Sequence, residues 1–311
     1  MVAALKNAFR FPAVALRHHD IVSALLRRDL AARYEGSLIG RMWPILHPLL
    51  LLGVYALVFG KMLKGDFQTK GSTLTVDALW LSTLYLVPGI LTWVCTVDAL
   101  NRCVPIIVEN SNLIKKVAFP SELLPTYTTM VSFVQMLFGF ALFIPLYAVV
   151  VLIGTHADPA TAAPAGAALA AGGSDWLARL ASLRTLAWFP VVVLLQYVFV
   201  VGLGMLLAAS NVFLRDIGQM IPLLTLVWMF FTPIFYTQAV IENAGIAWLV
   251  PAMKANPLFH LLALYRGCFV YESGAVFPLE SLWIFALIAA GVFVVGHGCF
   301  HSWKGRFADE V

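Results

Sequence analysis

Charge is the scarcest feature of this 311-residue chain: charged residues make up 12% of it and hydrophobic ones 61%. Soluble domains carry about 25% charged and 45–50% apolar residues. No water-soluble fold can hide this much apolar surface, so lipid must cover it. Other absences narrow the function. There is no GxxxxGK[ST], which excludes a P-loop cradle for nucleotide phosphates. Neither HExxH nor GxSxG occurs, which removes the zincin and nucleophile-elbow hydrolases. The cysteines Cys95, Cys103, Cys268 and Cys299 show no CxxC spacing, so they read as small buried hydrophobes, and no metal site is expected. No Lys/Arg tract with interleaved aromatics is present, so nucleic acid is not an expected partner. The N-terminus has no apolar core before a small-residue cleavage site, so it does not read as a cleavable signal.

What is present is a series of long apolar runs. A spanning helix needs about 20 predominantly apolar residues. Six candidate runs cover Met42–Leu63, Leu79–Ile107, Pro125–Ile153, Leu186–Phe213, Gln219–Val240 and Pro278–Phe300. They are continuously apolar rather than alternating, which favours helices over a barrel. The basic residues fall unevenly between the two sides. One side holds Lys6, Arg10, Arg17, Arg27, Arg28, Arg33, Arg41, Arg102, Lys115, Lys116, Arg215, Lys304 and Arg306. The other holds Lys61, Lys64, Lys70, Arg179, Arg184, Lys254 and Arg266. This split of thirteen to seven predicts that both termini are cytoplasmic.

The expected fold is therefore an all-α integral membrane protein with six transmembrane helices over residues 42–301. A cytoplasmic N-terminal region, 1–41, precedes it, and a cytoplasmic tail, 302–311, follows. Within the N-terminal region, Val14, Ile21, Leu25 and Leu26 recur near helical spacing among arginines. That pattern predicts an amphipathic helix from Ala13 to Tyr34 lying in the membrane interface. The segment 154–185, rich in Ala, Gly and Pro, predicts a flexible external insertion. Residues 245–275 hold two apolar runs, each too short to cross, around Pro251 and Pro257. They predict two short re-entrant external helices before the last span.

Few residues point to chemistry. Asp98 is the one carboxylate well inside a run, and its expected partner is Arg102 one turn later. The His18–His19–Asp20 cluster reads as a helix start, because neighbours on a helix point in different directions. Aromatics concentrate on the first and fifth runs: Tyr55 and Phe59, then Trp228, Phe231, Phe235 and Tyr236. Flat ring faces can stack on the apolar faces of sugars; helix packing or lipid contact is the alternative.

Five ordered blocks carry a family resemblance. They are RRDLAARYEGSLIGRMWPILHPLLLLGVYALVFG (Arg27–Gly60), ENSNLIKKVAFPSELLP (Glu109–Pro125), NVFLRDIGQMIP (Asn211–Pro222), TPIFY (Thr232–Tyr236) and NPLFHLLALYRG (Asn256–Gly267). In order and spacing they resemble the membrane subunit of ABC-2 type polysaccharide exporters, the family that exports O-antigen, capsular polysaccharide or teichoic acid. The insertion at 154–185 departs from that pattern. The resemblance implies a permease in the bacterial inner membrane, built from two copies of the chain and two separate ABC ATPase subunits. It also implies a lipid-linked polysaccharide substrate. ATP and Mg would belong to the partner, and no cofactor would bind this chain.

By the same resemblance, Asn112, Leu113, Ile114, Lys115, Lys116, Val117 and Phe119 would form an ATPase-coupling helix. Two cations beside apolar residues suit a peg in a partner's cleft, whereas the positive-inside rule explains the lysines alone. Arg28, Arg33 and Tyr34 would border a cytoplasmic entrance, contacting either a substrate phosphate or anionic lipid. Tyr55, Phe59, Trp93, Trp228, Phe231, Phe235 and Tyr236 would line the channel. Pro251, Asn256, Pro257, His260 and Arg266 would form an external gate. The runner-up readings are an ABC-2 permease for a small drug or antibiotic, and an integral-membrane transferase.

Overall fold

The computed structural model describes residues 17–33, 42–55, 78–116, 119–153, 183–236, 245–269 and 277–310, with isolated positions between them. Among the described residues every regular element is helical. In chain order these are α1 His19–Ala32, α2 Trp43–Tyr55, α3 Ala78–Cys103, α4 Ile106–Glu109, α5 Ser111–Lys116 and α6 Leu123–Ile153. A 3-10 turn at Leu183–Trp188 leads into α7 Phe189–Phe213, followed by α8 Ile217–Phe231, α9 Val250–Ala255, α10 Pro257–Phe269 and α11 Leu279–Trp303. A second 3-10 turn, Lys304–Arg306, opens α12 Phe307–Glu310.

Three stretches are long and apolar enough to cross a bilayer: Leu123–Val149, Arg184–Phe213 and Leu279–Arg306. The 31 residues of α6 reach about 46 Å at 1.5 Å per residue. With α3 these helices form the bundle. One end of the core is aromatic. Phe140 stacks on Tyr265 and on Phe269, with ring centroids 5.4 and 5.5 Å apart, and meets Phe189 edge-on at 4.9 Å. A second cluster gathers Ile107, Leu124, Tyr127, Met205, Phe300 and Phe307 at the other end.

The tightest helix pair is α7 against α11, and glycine makes it possible. A Cβ on Gly202 would lie 2.5 Å from the Phe293 Cα, and one on Gly296 would strike the Gly202 carbonyl. Without a net hydrophobic drive between helices in lipid, such close backbone approach is a main source of association. A buried polar network ties two more helices, α3 and α10, to α7. The Gln196 amide donates to the Thr92 carbonyl (3.2 Å) and Thr96 Oγ1 (3.1 Å), and the Tyr265 hydroxyl donates to Gln196 Oε1.

Several boundaries differ from the sequence expectation. The second run ends as a helix at Cys103, because Pro105 interrupts it before the separate short helix at Ile106–Glu109. The fifth, expected over Gln219–Val240, stops at Phe231. Pro233 has no N–H to continue the ladder and disfavours helical geometry in its predecessor. Thr232 is accordingly extended, with φ −105° and ψ 125°. The N-terminal helix turns Val22, Leu25, Leu26 and Leu30 onto the second cluster, while Ile21 is 38% exposed. Leu25 and Leu26 are expected members of its apolar stripe, Ile21 is not part of it, Val14 lies outside the described residues, and the helix rests on the protein's own α6. Helices α9 and α10 occupy the region expected to hold two short ones. The longer, α10, is not peripheral: Leu258, Leu261, Leu262, Leu264, Tyr265, Cys268 and Phe269 are all fully buried against the bundle.

Candidate functional site

The segment expected to couple to a partner folds as α5, between the turn at Asn110 and Pro120. Asn110 Nδ2 donates back to the Ile106 carbonyl (2.8 Å), closing the turn that aims the segment. Its side chains divide by direction. Asn112 and Lys115 are exposed. Ile114 and Phe119 turn inward and pack on the second cluster. Phe119 therefore seats the segment on its own chain, and the outward face available to a partner is carried by Asn112 and Lys115, with Leu113 half-buried between them. Val117, Tyr34 and Phe59, and the side chains of Lys116 and Tyr55, lie outside the described residues, as does 154–182 of the insertion.

Immediately after Pro120, Glu122 is nearly buried, at 8% exposure. The Lys304 ammonium donates to both of its carboxylate oxygens, at 3.0 and 2.9 Å, and His301 Nδ1 lies 3.6 Å away. Burial pushes the Glu122 carboxyl up, but the Lys304 ammonium, with help from His301, outweighs it and holds the group below the ordinary carboxylate value.

The expected entrance arginines separate. Arg28 is exposed and pairs with Asp29 at 3.7 Å. Arg33 is drawn into the bundle. Its guanidinium donates to Asp98 Oδ1 (3.0 Å) and Oδ2 (3.5 Å), while Arg102 Nε donates to Oδ1 (3.1 Å) and Ser132 Oγ to Oδ2 (2.6 Å). One carboxylate thus joins the end of α1 to α3 and α6. The Arg102 partner follows from helical spacing; Arg33 lies 65 residues away and had no local signal.

A second node lies where α8 breaks. Main-chain carbonyls at the break and just beyond it are met by two side chains from the NPLFHLLALYRG block. Asn256 Nδ2 donates to Thr232 Oγ1 (2.9 Å) and the Phe231 carbonyl (3.3 Å). Its Oδ1 accepts from Trp228 Nε1 (2.9 Å) and from the Leu258 amide (3.0 Å), capping α10. Arg266 donates to the carbonyls of Tyr85 (3.2 Å), Pro233 (2.8 Å) and Ile234 (3.1 Å), and its guanidinium sits 3.6 Å above the Tyr85 ring. His260 bridges Ser281 (3.2 Å) and the Lys254 carbonyl (2.9 Å). Of the expected gate residues, Asn256, His260 and Arg266 are thus engaged inside the protein. Pro257 is half-buried and Pro251 exposed.

Among the expected channel aromatics, Trp93 is buried, meeting Trp228 edge-on at 6.1 Å. Phe231 is 49% exposed on α8, in a face shared with Leu223, Leu224, Val227 and Phe230. Phe235 and Tyr236 are half-buried, with the Tyr236 hydroxyl on the Phe230 carbonyl (2.6 Å). Two features carried no sequence signal, namely the Glu122–Lys304 pair, 182 residues apart, and the closure of the TPIFY break by Asn256 and Arg266.

This arrangement is that of a helical membrane permease domain, with no nucleotide-binding motif anywhere in its sequence. A profile of the ABC-2 type transporter family matches residues 21–270, and the chain belongs to that family. It is similar to an O-antigen export system permease protein RfbA of Myxococcus xanthus, with 26% identity covering 95% of this chain and 96% of the relative. Two proteins of the same name from Klebsiella pneumoniae are 22% identical over 93% of this chain and 94% of their own lengths.

Proposed function

We propose that this chain is the membrane subunit of an ATP-driven exporter that moves a lipid-linked polysaccharide of the O-antigen class across the bacterial inner membrane. The observation that carries this reading is likeness along nearly the whole chain to permeases named for O-antigen export. The five ordered blocks support it, and so does the missing P-loop, since a family member without one needs its energy from elsewhere. In this reading six segments span the membrane, both termini are cytoplasmic, and two copies meet to form the channel. The exposed apolar face of α8 is then available to that channel or to the second copy. The outward face of α5, Asn112 and Lys115, meets a partner ATPase. The Asp98 node stands at the entrance, where Arg33 and Arg102 bring one more positive charge than Asp98 neutralises.

Reconstitution tests it. The chain, co-expressed with the ABC ATPase encoded beside it, should copurify as a complex. In proteoliposomes that complex should hydrolyse ATP faster when a lipid-linked glycan is supplied, and should carry the glycan across. Failure to bind any such ATPase would remove the reading. Stimulation by small amphipathic drugs but not by the glycan would replace polysaccharide with a small-molecule substrate.

A further inference from the structure

We propose that Glu122 and Lys304 are positioning residues: their ion pair clasps the turn that follows the α5 segment and opens α6 to the end of α11, so that a push on α5 moves the two long helices α7 and α11 with it. The inference deepens the functional reading above and rests on it for the source of the push.

Three contacts build the path. The first is the clasp. A carboxylate at 8% exposure with an ammonium on both oxygens is costly to bury, and that cost is recovered only when geometry is good and further partners are present. A lysine that served only to mark the cytoplasmic side would stay solvated and would need no buried acid. The second is the C-terminal turn beyond the clasp. Fully buried Phe307 meets Phe300 edge-on at 5.1 Å, and α12 packs against α5. The cluster that takes Phe307 also takes Ile114 and Phe119, so both sides of the α5 segment are held by the same apolar seat. The third is the glycine contact between α7 and α11, where backbone meets backbone and no side chain can yield. A displacement entering at α5 therefore reaches α11 directly through the apolar seat and α12, and through the ion pair at the turn that follows it, and reaches α7 through the glycines.

The test uses the full chain, alone and with its ATPase. Hydrogen exchange of the Ser111–Lys116 amides is read in nanodiscs for Glu122→Gln and Lys304→Gln. Each should raise exchange about tenfold, the scale of a lost hydrogen bond to a charged group. Lys304→Arg should stay near wild type, and the exchanged pair Glu122→Lys with Lys304→Glu should recover most of the protection. Glu310→Gln breaks only the exposed Arg306–Glu310 pair on the same tail and should change nothing. In the ATPase complex, the two single variants should keep hydrolysing ATP while export per ATP falls.

Unchanged exchange in both single variants overturns the proposal, and so does raised exchange with normal export per ATP. If the single variants do not survive purification, the charge-exchanged pair decides: protection like wild type supports the clasp, and raised exchange overturns it. A chain that binds no ATPase would sink the functional reading and leave the exchange result standing.

Discussion

The Asp98 node and the Arg266 node both hold a guanidinium inside a bundle of apolar helices, by opposite means. At Asp98 the charge is met by charge: one carboxylate takes Arg33, Arg102 and the Ser132 hydroxyl. At Arg266 no carboxylate takes part among the described residues; three main-chain carbonyls and the face of Tyr85 hold the group. The first arrangement joins separate elements, the end of α1 with α3 and α6. The second ties the stretch just past the end of α8, at the Pro233 and Ile234 carbonyls, to the Tyr85 carbonyl of α3. A joint between two ionised partners can be loosened by an anion or by salt, whereas a hold on main-chain carbonyls has no second charge to screen.

That contrast can be broken most sharply at Arg266. Arg266→Met should destabilise the protein by about 3 kcal/mol, because the buried carbonyls lose their donors outright. Arg266→Lys should recover only part of this, since one ammonium cannot serve a fork of acceptors. Thermal unfolding in detergent micelles measures both. Asp98→Asn should cost about 2 kcal/mol, below the range for a fully buried pair because the carboxylate is about a quarter exposed. Adding Arg33→Gln to it should recover some of the loss, which a carbonyl-held arginine could not show. Raising salt from 0.1 to about 1 M should weaken the Asp98 contribution and leave that of Arg266 unchanged.

Asn256→Ala comes next, at about 1 kcal/mol for the lost cap of α10. The Glu122 pair adds a pH test with a definite sign. Its carboxyl is depressed in the folded chain, so its stabilisation is fully present above the unfolded value and is lost as pH falls through the folded one. Lys304→Gln should therefore flatten the acid limb of the unfolding-versus-pH curve and leave the neutral region parallel to wild type. The smallest effect belongs to Arg28→Ala, within about 0.5 kcal/mol, because its pair with Asp29 is solvated.

Much of the architecture could be read from apolar run length. The runs expected from Pro125, Leu186 and Pro278 end within a turn of helices α6, α7 and α11. Failures came where composition stayed apolar while geometry changed. Ile234 and Phe235 carried the fifth run past Pro233, where the helix ends, although α3, α6 and α8 run on through Pro88, Pro145 and Pro222, so a proline alone does not mark the stop. Direction was harder still. Phe119 and Asn112 belong to one short segment, and only the packed cluster decides that one faces in and the other out. Of the site, Asp98 with Arg102 was visible because one helical turn separates them. Arg33, Lys304 and the Asn256–Thr232 contact were not, because partners 65, 182 and 24 residues apart leave no periodic trace in a single sequence.

The glycine contact between α7 and α11 also sets an order on biogenesis. During synthesis at about 5–20 residues per second, α7 enters the bilayer seconds before α11 exists. Until then the groove at Gly202 has only lipid to fill it. A chain stopped short of Leu279 would keep that groove open and lack Phe307 to close the second cluster. Such a fragment would present unfinished helix surface to membrane quality control, and the last helix to be made would be the one that certifies the rest.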